Sequence, residues 1–452
     1  MPEGRRSQLF IAHFLAFWIA LPSFASPTDD AFVRQWVASE LDEIEMLYRE
    51  LHASPELSRQ EHATAARVAA ALGAAGYEVT TGVGETGVVG VLQNGEGPTL
   101  LIRGDMDGLP VREETGLSYA SEVRAPGSGG VEVGVMHACG HDVHTSNLIA
   151  SAELLAVAAA SNRWSGTVVI VAQPAEEIGW GALAMIEDGL FERFPVPDVA
   201  IALHVDGDFA AGDVAITPGW GAANVDSVDI TLYGRGGHGA RPHQAVDPIV
   251  AAAHLVTALQ TLVSRRVAPQ DPAVVTVGSI HGGTKSNVIP DEVKLQLTVR
   301  SYSDEVRSQL MDGIAQLAAD TCRTFECPRP PDVVSKENYT PAVFNDVALS
   351  GRARTLFIEL LGADHVHEKA PGMGGEDFGR FPRRLGIPGL QYRLGTADPE
   401  ALAAAREAGE TLPSLHSSRY APLARPTLET GVRTLTNLAL EILGGPPPES
   451  GD

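Results

Sequence analysis

Positive charge is scarce in this chain: 33 Lys and Arg stand against 57 Asp and Glu, a formal net charge of −24 over 452 residues. Nothing in it can neutralise a row of phosphates, which excludes a nucleic-acid partner. An anionic small molecule is not excluded, because one pocket can carry a sign opposite to the whole. Apolar runs for repeated membrane passage are missing, as are internal repeats and low-complexity tracts. With 44% hydrophobic residues, 20% charged and only 6% aromatic, what remains is ordinary globular chemistry. The length exceeds one typical core and predicts two or three domains.

Cysteine is scarce too, and its use depends on where the chain goes. Arg5 and Arg6 precede Leu9–Leu21, a 13-residue apolar run broken only by His13, and Ser23-Phe24-Ala25 puts small residues at the first and third positions of a cleavage site. That pattern reads as a secretory signal over residues 1–25, since a membrane span needs ~20 apolar residues. The expected mature chain is exported, periplasmic or secreted, with no membrane association after cleavage; an uncleaved N-terminal anchor is the alternative. An oxidising compartment favours pairing, and three cysteines leave one over. Cys322 and Cys327 lie near enough to close a small structural loop, and Cys139, inside a histidine-rich motif, is then expected to hold a metal. Three reduced thiols packed as small hydrophobes are the other reading.

Helical spacing over Asp30–Leu51 and Gln60–Leu72 is followed by strand-like runs at Val88–Leu92, Thr99–Arg103, Thr167–Ala172 and Val199–His204. Helical stretches at Val143–Ala160 and Gly181–Leu190 separate them. Such alternation predicts an α/β fold with a mainly parallel, buried sheet. At Pro218 the character changes. Strands at Val225–Gly234, Val274–Ile280 and Val293–Arg300 alternate with helices at Pro248–Ser264 and Glu305–Arg323, before the proline-rich Pro328–Pro331. This β-α-β-β-α order predicts an inserted α+β, ferredoxin-like domain over 218–332, between flanking segments 26–217 and 333–452 of the main domain.

Chemistry gathers where strands end, the place at which open α/β sheets bind ligands. Thr99–Arg103 runs into Gly104-Asp105-Met106-Asp107, Thr167–Ala172 into Gln173-Pro174-Ala175-Glu176-Glu177, and Val199–Leu203 into His204, while His137-Ala138-Cys139-Gly140-His141-Asp142-Val143-His144 opens the long helix. Singly, each has a plain explanation: turn-forming aspartates, a solvated glutamate pair, a core histidine, a helix-face His144. Four clusters delivered to one rim make a site.

The ordered motifs resemble the M20 metallopeptidase family, in particular its amidohydrolase branch of hippurate hydrolases, IAA-amino acid hydrolases and N-acyl-L-amino acid amidohydrolases. They run from Arg49-Glu50-Leu51-His52 and Pro55-Glu56-Leu57 through Gly104–Pro110, His137–Asp142, Gln173–Glu177, Gly236–His243, Asn287–Pro290 and Gly374–Phe378 to Leu415-His416-Ser417. The resemblance implies a zinc-peptidase-like catalytic domain with Cys139, His141, Glu177, His204 and His416 as metal ligands, Cys139 bridging. It implies Glu176 as general base, Asp107 as support for a metal-site group, and His238 and Asn287 as inserted-domain residues that close over the substrate, often across a homodimer. Gly179-Trp180 and Ser417-Ser418-Arg419-Tyr420 depart from the family pattern.

Five ligands exceed the three protein ligands of one catalytic zinc and suit two ions sharing a bridge. Mixed thiolate, imidazole and carboxylate donors admit Zn²⁺, Mn²⁺ or Co²⁺, the thiolate leaning to zinc. The expected reaction is hydrolysis of the amide of an N-acyl or N-aroyl amino acid by a metal-bridged water, with Glu176 moving the proton and His238 helping at the oxyanion. Arg300, Asn287 and Arg241 are candidates to hold the substrate carboxylate, with surface ion pairing the plain alternative for the two arginines. Competing expectations are a dipeptidase or metallocarboxypeptidase of the same chemistry, a Cys139 thiol nucleophile, and a metal- or solute-binding protein without catalysis.

Overall fold

The apolar runs of the first half become the centre of a mixed eight-stranded sheet in the computed structural model, which describes residues 27–336 and 338–444. The expected signal segment lies outside the described residues. Strand order across the sheet is Glu78–Val83, Gly87–Asn94, Gly166–Gln173, Thr99–Asp105, Val199–Ala210, Gly389–Ala397, Val214–Ile216 and Val366–Glu368. The four strands from Gly166–Gln173 to Gly389–Ala397 run parallel. Gly166–Gln173 is buried at every position, the mark of a strand covered on both faces.

Alternate side chains feed two cores. Leu100 and Ile102 join the cluster under the helices Pro27–Ala53, His141–Ala160 and Ala424–Leu443, while Leu101 joins the opposite one with Ala182, Met185 and Phe381. Each fully buried aliphatic here contributes about 1.5–3 kcal/mol relative to exposure. The helix His141–Ala160 is apolar and long enough to cross a membrane by composition. Its place between the sheet and the helices Pro27–Ala53 and Ala424–Leu443 accounts for that apolarity.

Beyond the neck formed by Gly219–Ala222 and Val343–Asn345 stands a second sheet with its own core. Its order is Ala273–Gly282, Glu292–Ser301, Asn224–Tyr233 and Asp332–Ser335, antiparallel throughout. The helices Pro248–Thr261 and Asp304–Thr324 pack on it through Leu255, Leu259, Leu310 and Ile314. Asp247 caps the first helix at Ile249 N–H and Ser303 the second at Val306 N–H.

Three differences from expectation stand out. Val88 lies in the antiparallel hairpin of Glu78–Val83 with Gly87–Asn94 rather than in the parallel array. The insertion's last strand, Asp332–Ser335, crosses the expected boundary at 332, because the alternation of Val333 and Val334 resumes after the prolines. Cys322 and Cys327 are free thiols: Cys322 is buried in the insertion core, and the chain reverses at the helix end with the Cys327 amide on the Cys322 carbonyl at 2.9 Å.

Candidate active site

The carboxyl ends of the parallel strands and the start of His141–Ala160 meet at one place. The loop enters that helix through Gly140, at φ +73, where a Cβ would fall 2.6 Å from Val205 Cγ2; only glycine fits so close an approach in that conformation. Cys139 and His141 therefore lie against the strand that carries His204. Cys139 Sγ is 3.8 Å from His204 Nε2, and His141 Nε2 is 3.8 Å from Glu177 Oε1 and 4.0 Å from Glu176 Oε2. His416, held at φ +67 with its amide on Ala138 O, brings Nε2 to 3.7 Å from Glu177 Oε2.

Donor atoms of Cys139, His141 and His204, of Cys139, Glu177 and His416, and of His141, Glu176 and Glu177 lie within 4.8 Å of one another in each group. Cys139, His141 and Glu177 each belong to two of these groups. Both nitrogens of His141 and Oε1 of Glu177 are buried without a hydrogen-bond partner, a costly state for polar atoms. Burial pushes the Cys139 thiol pKa up and the Glu177 carboxyl to about 7. Burial alone would lower His141, but Asp105 and Asp107 outweigh it and raise it well above the ordinary value. The pocket thus attracts positive charge at its centre, and its unpartnered donors suit a divalent cation. His204 donates Nδ1–H to Val205 O at 2.7 Å, which leaves Nε2 open.

Asp107 accepts from Ser58 Oγ at 2.6 Å and from the Glu176 and Glu177 amides at 3.1 Å, and its Oδ1 lies 3.2 Å from His141 Nδ1. Burial raises its pKa, and the neighbouring His141 ring and the Ser58 hydroxyl lower it below the usual range. Around this lies a layer not assigned a role from sequence. Fully buried Arg103 donates to Asp105 (2.6 Å), Gln173 (2.8 Å) and Glu376 (2.9 Å) and reaches Asp377 (3.2 Å). Asp105 takes Nδ1–H of His144 at 2.5 Å, while His144 Nε2 accepts Val205 N–H at 2.9 Å. Burial, then Glu376 and Asp377, raise the Glu176 pKa well above the carboxylate range. The sequence signal was thin: an arginine inside an apolar strand, answered by the carboxylates of Gly374–Phe378.

Above these groups opens a cavity of about 530 Å³, lined by Cys139, Glu176, Glu177, His204, Arg300, Lys336, Glu376 and His416 among others. Arg300 is half-buried and forms no ion pair among the described residues. His238, Asn287 and Arg241 do not line it. They sit together on the short ribbon of Gly237–His238 with Val288–Ile289, where Gly239 N–H binds Asn287 O and Arg241 N–H binds His238 O. The reason is topological. Val225 and Arg300 are opposite one another at one end of a ten-residue strand pair, and the ribbon follows Tyr233 and precedes Glu292 at the other end, roughly 30 Å away at the rise of a strand. The two family departures find local partners: Arg59 lies over the Trp180 ring, Ser418 binds Glu114, and Tyr420 is buried.

Comparison with known proteins points to one family. Residues 101–438 match the model of peptidase family M20/M25/M40. The chain is 37% identical over 354 residues to the N-acetyl-L-cysteine deacetylase of Bacillus subtilis, covering 77% of this chain and 79% of that one. It is 37% identical over 342 residues to the hippurate hydrolase of Campylobacter jejuni, covering 75% and 85%. Its fold is similar to that of the YXEP protein of Bacillus subtilis, a dinuclear metal binding peptidase from the M20 family, with a TM-score of 0.71 at 27% identity over 92% of this chain and 99% of that one.

Proposed function

This chain belongs to peptidase family M20/M25/M40 and is a hydrolase of amide or peptide bonds, and on that premise we propose that it cleaves N-acyl or N-aroyl amino acids with two divalent cations held by Cys139, His141, Glu177, His204 and His416. One observation carries the reading: five donors from distant parts of the chain converge beside Glu176, with atoms of His141 and Glu177 buried and unpartnered. Cations held there would supply a water of lowered pKa and positive charge for the developing oxyanion. Zinc is favoured by the thiolate, with manganese and cobalt compatible.

Glu176 accepts the proton of the attacking water and returns it to the leaving nitrogen; a carboxyl whose pKa is raised by burial is suited to both steps. Asp107, beside the His141 ring, binds the amides of Glu176 and Glu177 and so fixes the backbone from which both glutamates project. Arg300 binds the substrate carboxylate through its guanidinium fork. His238 and Asn287, roughly 30 Å from Arg300 along the insertion, serve the site of a second copy in a homodimer joined through the insertion, where His238 donates to the oxyanion. Cys139 acts as ligand rather than nucleophile, since its Sγ lies among the donor atoms of two separate metal-type groups. The charged, apolar and small-residue pattern of residues 1–25 supports export.

Metal analysis of the purified protein, with assays on hippurate, N-acetyl amino acids and unblocked dipeptides, tests the proposal. Hydrolysis of blocked substrates that disappears on chelation and returns with zinc or manganese is the expected result. Activity undiminished after metal removal overturns it, and turnover of unblocked dipeptides alone converts it to a peptidase.

A further inference from the structure

The segment Ser58–Glu61 takes no part in the chemistry above, yet three of its side chains touch the machinery. Ser58 Oγ donates to Asp107, and the Arg59 guanidinium lies 4.6 Å from the centre of the Trp180 ring. Glu61, fully buried, accepts the Ala175 N–H at 2.8 Å. Glu61 occupies the N-cap position of the helix His62–Ala74 but gives that helix no side-chain bond. Glu56 caps it instead, accepting from Ala63 N–H at 3.0 Å and Thr64 N–H at 2.8 Å. A carboxylate freed from capping and kept in the core must be satisfied elsewhere. Its Oε1 takes the Arg59 and Ala175 amides, at 3.0 and 2.8 Å, and its Oε2 takes the Thr86 hydroxyl at 2.6 Å.

Ala175 is the residue that needs such a hold. It sits at φ +50, a left-handed conformation that side-chain-bearing residues rarely adopt. Its carbonyl accepts the amides of Trp180 and Gly181, at 3.2 and 3.1 Å. A Cβ on Gly181 would fall 1.5 Å from Pro174 O, so the turn is closed tightly on itself. The next two amides, of Glu176 and Glu177, go to the two oxygens of Asp107. Three successive N–H groups are thus bound by two buried carboxylates, and the side chains that follow reach His141.

We infer that Glu61 is a positioning residue for hydrolysis: together with Asp107 it clamps the left-handed turn at Ala175, so that Glu176 and Glu177 leave the backbone in the directions catalysis requires. This rests on the reading of Glu176 as base and Glu177 as ligand. The clamp works through acceptor atoms rather than net charge. A glutamine at 61 offers its carbonyl to both amides and its NH₂ to Thr86 Oγ1. An aspartate keeps the charge but withdraws the carboxylate by about 1.5 Å, one C–C bond.

The test compares Glu61→Asp, Glu61→Gln and Glu176→Gln as metal-loaded, full-length enzymes on a blocked amino acid, with metal content and circular dichroism recorded for each. Glu61→Asp is expected to lose about 10–100-fold in kcat, as loss of a group orienting metal-site residues does, with KM within about threefold. Glu61→Gln is expected to stay within about threefold of the parent in both constants. The reverse order, Asp active and Gln impaired, overturns the clamp, as does an unchanged kcat in both. If the Asp variant does not fold, Thr86→Val frees only the outer oxygen; a smaller fall in kcat at constant KM supports the inference, and no fall overturns it. Undiminished turnover in Glu176→Gln sinks the reading of the site itself, whereas an inactive Glu176→Gln beside an unaffected Glu61→Asp sinks the clamp alone.

Discussion

The floor of the cavity and the insertion above it are built on different terms. On the floor, Asp105, Asp107, His141 and His144 are at most 1% exposed, and Arg103 ties Asp105 to Glu376 and Asp377. On the insertion, Arg300 lacks an ionic partner among the described residues, and His238 and Asn287 are exposed on a ribbon at the far end of the sheet. The floor has met its desolvation cost during folding, which lets it hold several charges in one orientation. On the insertion that cost has not been met, and its polar groups keep contact with water. Groups that hold one another in place are buried; the groups proposed to meet substrate keep contact with water.

The sharpest way to break this contrast is at the floor. Glu176→Gln is expected to lower kcat by about 10²–10⁴-fold, the usual share of a general base, with both metals retained on elemental analysis. Appreciable activity in a metal-loaded variant moves the base elsewhere. The insertion is tested next by complementation. His238→Ala is expected to cost about 10²-fold through the oxyanion. Mixing it with inactive Glu176→Gln should restore about a quarter of parental activity, because random pairing puts one intact site in each mixed dimer. No recovery after subunit exchange removes the shared site.

A smaller effect is expected at Arg300. Arg300→Lys should raise KM about 10-fold for substrates with a free carboxylate, since an ammonium does not reproduce the guanidinium fork. Its KM for the corresponding carboxamide should hardly move; equal losses on both would make Arg300 structural.

The smallest effect concerns stability, at the buried group that supports the histidine-rich loop. His52 lies 2.7 Å from Asp142 and 3.0 Å from Glu113. Burial alone would lower its pKa, but these carboxylates raise it to about 10, while Asp142 and Glu113, against their own burial, are held low. The raised histidine contributes stability that is complete below its unfolded value of about 6.5 and fades as pH rises through about 10. The lowered carboxylates contribute stability present above their unfolded values and lost on acidification. Thermal melts across pH should show both limbs, and His52→Gln should flatten the alkaline one at a cost of about 1–3 kcal/mol. An unchanged alkaline limb would place the titrating group elsewhere.

What could be read from the sequence divides along the same line. Strand-end residues such as Asp107, Glu177 and His204 announced themselves because an apolar run stopping at a polar side chain has few explanations. Arg103 did not, since its carboxylates at 376 and 377 lie more than 270 residues away and no local pattern links them. The strand Glu78–Val83 was missed because it is an exposed, threonine-rich edge with almost no buried side. The ribbon of His238 and Asn287 was legible as a motif, but its distance from Arg300 depended on the antiparallel register of two strands, which is a tertiary property. Glu61 looked like the start of a helix. Only the placement of Glu56 on that helix's amides shows that Glu61 is free to bind another segment.

Gly140 has one more implication. Its missing side chain lets the loop of Cys139 and His141 lie directly on Val205, next to His204. Three donors on two separate segments are therefore gauged by a single van der Waals contact. A bulkier neighbour at that contact would prise them apart together, so the spacing of the centre is measured by atoms that never touch a metal or a substrate.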